Sequence, residues 1–256
     1  MRIALGIEYD GTAYNGWQRQ KTGLGVQQRV EEALQIVANH KLEVTCAGRT
    51  DTGVHASGQV VHFDTPSTRD DRGWLLGINS NLPDDISVSW ARHVGDEFHA
   101  RFSATARNYR YRILNRLERS ALHRHRAWWR YQTLDAENMH EAAQHLVGEH
   151  DFSAFRAAGC RANTPHRNIS QISIERSGDW ITLKVSANAF LQHMVRNMTG
   201  TLVKVGEGEQ PASWLKEVLE SRDRKQGGIA APPHGLTLVS VDYPAAADIP
   251  APRASD

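Results

Sequence analysis

Twice along this chain, apolar residues shift from alternate positions to helical spacing and back again. That rhythm limits the fold more than any other feature. Residues 2–9 alternate, with Ile3, Leu5 and Ile7 on one face, the pattern of a half-buried strand. Tyr9-Asp10-Gly11-Thr12 carries turn chemistry. Val26, Val30, Ala33, Leu34, Val37 and Ala38 then fall on one face of an amphipathic helix. The spacing predicts strands over 58–64, 86–91 and 107–114. In the last of these, Tyr109, Tyr111 and Ile113 share one face, and Arg110 and Arg112 share the other.

The second half repeats the vocabulary. Met139, Ala142, Ala143, Leu146 and Val147 mark a helix, with Asp135 placed to cap it. Strands near 168–175 and 180–187 flank Ser177-Gly178-Asp179, a hairpin turn. Phe190, Leu191, Met194, Val195, Met198, Leu202 and Val203 define another helix, and Trp214, Leu215, Val218 and Leu219 a shorter one. A final strand is predicted over 237–243, and the Pro- and Ala-rich tail 244–256 is expected to be poorly ordered. Strands and helices in mixed order, joined by hairpins, point to an α+β protein. Its sheet should be mixed or antiparallel rather than doubly wound. No strict sequence repeat is present.

With 256 residues, 40% of them hydrophobic, the chain can bury a substantial core. No apolar run is long enough to cross a bilayer. The N-terminus lacks the long apolar stretch of a signal peptide. Cys46 and Cys160 belong to no C-x-x-C pair, so neither a disulfide framework nor a zinc ribbon is expected. Together these features predict a cytoplasmic setting without a membrane partner.

The formal net charge of +1 gives no global argument for nucleic acid. The charge is nevertheless uneven. Arg101, Arg107, Arg110, Arg112, Arg116, Arg119, Arg124, Arg126 and Arg130 crowd one stretch whose only acid is Glu118. Such a stretch makes a local positive field. Charge alone reads equally well as a solvated face balanced by acids from elsewhere.

The densest candidate for chemistry is Gly48-Arg49-Thr50-Asp51-Thr52-Gly53-Val54-His55-Ala56, between a strand ending near Cys46 and one starting near Gly58. Two glycines bracket a polar loop carrying one carboxylate and one guanidinium, and loops on rigid sheets are where catalytic groups sit. A turn in which Asp51 only caps local N–H groups would look the same. Val54-His55 stands where a phosphate-binding loop needs Lys-Ser/Thr. Asp51 and His55 could serve a hydrolytic triad, but no G-x-S-x-G elbow supplies a nucleophile. His123 and His125 lack a third ligand nearby, so no metal is expected. On the helix from Phe190, His193, Arg196 and Asn197 fall at i, i+3 and i+4, opposite the apolar face. Arg196 must reach solvent or find a carboxylate, and spacing does not choose between these.

These residues, taken in order, resemble the tRNA pseudouridine synthase A family. Tyr9-Asp10-Gly11-Thr12 through Gly16-Trp17-Gln18 is similar to its N-terminal signature, and Gly48 to Ala56 to its catalytic motif. Phe98 to Phe102 with Ala106 to Tyr111, Phe190 to Met198, and Ala231-Pro232 with Gly235-Leu236 resemble three further blocks, covering residues 3–243 in all. Thr52 stands where alanine is common, and Asn108 where a basic residue is usual.

The resemblance implies two ferredoxin-like halves, residues 1–104 and 105–243, forming one mixed sheet with an RNA-binding cleft between them. It implies a homodimer that isomerises uridines 38, 39 and 40 of the tRNA anticodon stem-loop without metal or organic cofactor. By position, Asp51 matches the essential aspartate, Tyr109 the tyrosine that stacks on the target base, and Arg196 the basic residue paired with the aspartate. Leu236 matches an apolar residue near the uracil, and Arg49 a residue that helps hold the flipped nucleotide. Arg107, Arg110 and His193 are expected to contact the RNA. The rival readings are a non-catalytic RNA-binding protein on the same scaffold and a metal-free hydrolase using Asp51 and His55.

Overall fold

The computed structural model describes residues 1–251; residues 252–256, the end of the Pro/Ala tail, lie outside the described residues. In chain order the elements are β1 (Arg2–Tyr9), α1 (Val26–Ala38), β2 (Thr45–Cys46), β3 (His55–Asp64), α2 (Asp71–Asn79), β4 (Ile86–Val94) and β5 (Ala106–Asn115). There follow β6 (Trp128–Arg130), α3 (Ala136–Gln144), β7 (Gly148–Asp151), β8 (His166–Ser177), β9 (Trp180–Ala187), α4 (Met194–Gly206), α5 (Trp214–Ser221) and β10 (Leu236–Asp242). The fold is α+β, as the mixed order of elements predicts. The chain divides into two compact units, Met1–Arg107 with Leu238–Asp256, and Asn108–Thr237.

In the first unit β1 lies between β3 and β4, antiparallel to both, with Leu5 opposite Val61 on one side and Ala91 on the other. The strand β10 follows β3, and the short β2 also pairs with β3. The helix α1 buries the six apolar residues of its predicted stripe. The helix α2 was not legible as a periodic stretch, because only Trp74 and Ile78 are buried and Gly73 and Gly77 dilute the pattern. Its N-cap was available to see: Asp70 accepts from the Gly73 N–H at 2.7 Å.

In the second unit the order is β5-β9-β8-β7, with β6 parallel to β5. The hairpin β8–β9 closes at Ser177 opposite Trp180, around the predicted turn. Asp135 caps α3 by accepting from the Asn138 N–H at 2.9 Å. Leu146 and Val147 fall beyond the end of α3, although Leu146 is still buried.

The largest local correction concerns α4. Phe190 and Leu191 continue its apolar pattern but precede it: the helix begins at Met194, and His193 is its N-cap in the left-handed region at φ +62°. His193 and Arg196 are therefore not stacked turns of one helix. Asn197 is not on an outward face either. It is buried, donates to the Phe155 carbonyl at 2.7 Å and accepts from Arg224 at 3.1 Å. The tail contains one short 3-10 turn, Ala245–Ala247. No helix among the described residues is long and apolar enough to cross a membrane.

Candidate active site

In the first unit, residues 47–54 link β2 to β3, and their backbone is held from three directions. From β1, the Tyr9 hydroxyl meets Thr50 Oγ1 at 2.8 Å in a buried contact. From the segment before α1, the Trp17 N–H donates to the Thr50 carbonyl at 3.1 Å. From β3, the fully buried Gln59 donates to the Gly48 carbonyl at 2.6 Å and accepts from the Gly48 N–H at 3.4 Å. A buried side-chain amide that satisfies both of its ends on one residue fixes that residue's position.

The turn itself closes through the Val54 N–H donating to the Asp51 carbonyl at 3.1 Å, with Gly53 at φ +76°. Gly16 makes the packing possible. It sits at φ +91°, and a Cβ there would lie 2.6 Å from the Thr50 carbonyl oxygen. The loop is thus rigid in its backbone and open at its tip. Asp51 is half-buried, whereas Arg49 is exposed and makes no hydrogen bond or ion pair among the described residues. His55 is buried beneath the loop. Its Nδ1 accepts from the Gly11 N–H at 3.1 Å and lies 3.0 Å from Asp10 Oδ1.

Cys46, just before the loop, is inert: burial pushes its thiol up to about 11, against the opposing positive charges of Arg49, Arg101 and Arg107. Arg107 is itself buried. Its guanidinium donates to the carbonyls of Ala47 at 3.0 Å, Arg101 at 2.6 Å and Ala104 at 3.2 Å. It faces carbonyl oxygens and ties the start of the loop to the segment around Arg101.

The second unit assembles a different set. Tyr109 on β5 is 9% exposed, and its ring meets Phe190 edge-on at 5.1 Å. Phe190 leads into α4, where Arg196 Nε donates to the Ala231 carbonyl at 2.8 Å and the Ala231 N–H returns a bond to the Arg196 carbonyl at 3.0 Å. The next residue, Pro232, accepts from the buried Tyr111 hydroxyl at 2.7 Å. Burial raises the Tyr111 phenol well above its usual range, with the positive charge of Arg196 opposing. Leu236, buried at the start of β10, closes the segment. Contacts of Phe190 with Tyr109, of Ala231 with Arg196 and of Pro232 with Tyr111 thus link β5, α4 and the segment after it, and Leu236 follows on that segment. In the other unit Arg49 and Asp51 share the loop 47–54.

The arginine-rich stretch divides. Arg130 pairs with Glu207, Arg116 lies 3.5 Å from Asp179, and Arg112 lies over the Trp180 ring at 4.1 Å. Arg130 and Arg116 are thus balanced by acids of the second unit, and Arg112 is held over an aromatic ring. Arg101, Arg119 and Arg124 carry exposed charge, and Arg110 is half-buried on β5. Among the described residues no group of three His, Cys, Asp or Glu side chains is arranged to hold a metal ion.

Sequence reasoning missed Gln59 altogether; it named Tyr9, Asp10 and His55 within motifs but not the Tyr9–Thr50 contact or the Asp10–His55 pairing beneath the loop. A glutamine at an inward position of β3 was the visible signal for Gln59.

The pattern shared by the tRNA pseudouridine synthase family matches residues 6–103 and 142–244. A tRNA pseudouridine synthase A of Aeromonas hydrophila subsp. hydrophila is 55% identical over 98% of this chain and 93% of its own length. One of Pseudoalteromonas atlantica is 58% identical over 95% of this chain and 93% of its own length. One of Shewanella amazonensis is 54% identical over 98% and 96%.

Proposed function

The chain belongs to the tRNA pseudouridine synthase family, and from that premise we propose that Asp51 is its catalytic carboxylate, acting on uridines 38, 39 and 40 of the tRNA anticodon stem-loop. Pseudouridine formation in tRNA is the reaction of the family. The N1–C1′ bond breaks, a C5–C1′ bond forms, the C5 hydrogen leaves as a proton, and N1 takes up a proton. The product has the atoms of the substrate, so no oxidant, reductant or external nucleophile enters the balance.

A uridine in a stem is stacked, and its glycosidic bond is reached only when the base is flipped out, at a cost of a few kcal/mol. Tyr109 is the surface on which the flipped base stacks, offsetting about 1–3 kcal/mol of that cost. Arg49 holds the displaced nucleotide, and Leu236 packs against the uracil. Arg196 is the basic residue that pairs with Asp51. Asp51 attacks the sugar at C1′ or the base at C6, or removes a ribose proton. Arg110 and His193 contact the RNA, and Arg107 acts from beneath the loop. The working enzyme is a cytoplasmic homodimer across which one tRNA lies.

The observation that carries the reading is the loop 47–54. Its backbone is pinned by Tyr9, Trp17 and Gln59 while Arg49, two residues before Asp51, remains exposed and makes no hydrogen bond or ion pair among the described residues. A carboxylate held this firmly on an open loop is preorganised for a bound reactant. Mapping pseudouridine by carbodiimide modification and primer extension, after incubation with unmodified tRNA, tests the assignment. Stops that report pseudouridine at positions 38–40 alone are expected. Stops elsewhere in the tRNA would overturn the stem-loop assignment.

A further inference from the structure

The turn that follows Phe98 presents an exposed aromatic ring that the proposed chemistry does not use. Phe102 is 77% exposed, more than any other Phe, Tyr or Trp side chain among the described residues. Its ring lies 4.3 Å from that of His99 at an interplanar angle of 32°, and the Arg101 guanidinium lies 5.5 Å from its centroid. His99 in turn meets His62 at 4.7 Å. Burial holds the His62 imidazole down to about 4 and lowers that of His99, so at neutral pH both rings are uncharged aromatic surfaces.

The backbone beneath this ring is unusually constrained for a surface turn. His99 Nδ1 accepts from the N–H groups of Arg101 at 3.1 Å and Phe102 at 3.2 Å. The Ser103 hydroxyl accepts from the His99 N–H at 2.9 Å, and the Ser103 N–H returns a bond to the His99 carbonyl at 2.9 Å. Ala100 is held from two sides, donating to His62 Nδ1 at 3.1 Å and accepting from the Tyr243 hydroxyl at 2.6 Å. Arg107 joins the Arg101 carbonyl to that of Ala47, at the entry to the loop bearing Asp51. A single exposed apolar ring is ordinary by itself; what sets Phe102 apart is the hydrogen-bonded backbone that presents it. Rigid presentation of a flat apolar ring beside the exposed Arg101 guanidinium is the makeup of a base-stacking platform with phosphate attraction.

We propose that Phe102, backed by His99 and flanked by Arg101, is a stacking platform for an unpaired nucleobase of the substrate tRNA, distinct from the flipped uridine. This rests on the reading of the chain as an enzyme acting on tRNA. It adds a second base contact, on the same rigid frame as the Asp51 loop. The platform has no part in breaking or making bonds, so its removal weakens substrate binding and leaves the chemical step alone.

The test compares Phe102→Ala, Phe102→Leu and Phe102→Tyr with wild type by filter binding of unmodified tRNA and by steady-state turnover. Because the ring is exposed, all four proteins should unfold at the same temperature. Alanine and leucine are expected to weaken tRNA binding and raise KM by about ten- to a hundred-fold with kcat within twofold, and tyrosine to stay near wild type. Leucine behaving like wild type would reduce the contact to apolar packing and overturn the platform. So would an unchanged alanine variant. A shift of Phe102→Ala from dimer to monomer in sedimentation would assign the ring to a protein interface and also overturn it. Wild type that bound tRNA without turning it over would sink the catalytic reading, while the binding comparison would still decide the platform.

Discussion

The Tyr9 hydroxyl and Thr50 Oγ1 meet at 2.8 Å inside the first unit, so the residue immediately before Asp51 is anchored to the central strand β1. Tyr9→Phe keeps the ring and removes that anchor, leaving the buried Thr50 hydroxyl without this partner. An unsatisfied buried hydroxyl costs about 1–3 kcal/mol, which denaturant unfolding should register. Turnover should fall more than stability explains, through kcat rather than KM, because the anchor positions the loop. A loss confined to KM would detach Tyr9 from the chemistry.

Gly16 gives a steric version of the same argument. At φ +91°, with the Thr50 carbonyl 2.6 Å from where a Cβ would stand, Gly16→Ala must displace the loop or its own turn. Backbone strain alone costs about 1–3 kcal/mol. A lowered melting temperature together with reduced kcat is expected. Normal turnover in a destabilised Gly16→Ala protein would mean the loop tolerates displacement.

Arg196 should resist even conservative change. Its Nε donates to the Ala231 carbonyl, and only a planar guanidinium could keep that bond while also facing a carboxylate in the proposed pairing. Lysine cannot do both. Arg196→Lys and Arg196→Leu should each reduce kcat by about 10²–10³-fold, the usual effect of removing one electrostatic donor from a reacting site. Circular dichroism should show both variants folded. Near-normal turnover in Arg196→Leu would remove the proposed pairing with Asp51.

His62 predicts a pH signature. Burial, with Arg2 and His99 adding to it, lowers its folded-state value from 6.5 to about 4, while Asp64 opposes. A depressed histidine is neutral in the fold and takes up its proton more readily when unfolded. Its contribution is therefore complete above pH 6.5 and is lost as pH falls towards 4. The slope in that window is at most about 1.4 kcal/mol per pH unit. Urea melts of wild type and His62→Gln between pH 4 and 7 should show a shallower slope in the variant; parallel curves would contradict the assignment.

Exposed Arg101, Arg119 and Arg124 should make tRNA affinity steeply dependent on salt. Converting Arg124 to Ala should weaken binding uniformly across tRNAs and reduce the salt slope by about one. An unchanged slope would place Arg124 away from the RNA.

Much of this was legible in the sequence because it depends on local rules. The α1 stripe, the Asp135 cap and the Gly178 hairpin are written in neighbouring residues, and the loop around Asp51 announces itself by density of motif. What escaped depends on distant partners or on backbone choice. The left-handed His193 ends the apparent continuity of Phe190 with α4, and no periodicity reveals it. Asn197 looked like a surface residue until Phe155 and Arg224 supplied its partners. Tyr9 acts on a loop that is remote in sequence, and Gln59 reaches back to Gly48 across the whole of that loop. Arg107 sits in a stretch suited to phosphate, yet its guanidinium is engaged by three carbonyls.

The central claim is that Asp51 performs the isomerisation. Tritium at uracil C5 is lost to water only when the new C5–C1′ bond forms. Release from labelled tRNA should therefore be measured for wild type and Asp51→Ala, with tRNA binding followed in parallel. Release by wild type alone, with both proteins binding tRNA, is the predicted result. Release by Asp51→Ala at the wild-type rate would contradict the account.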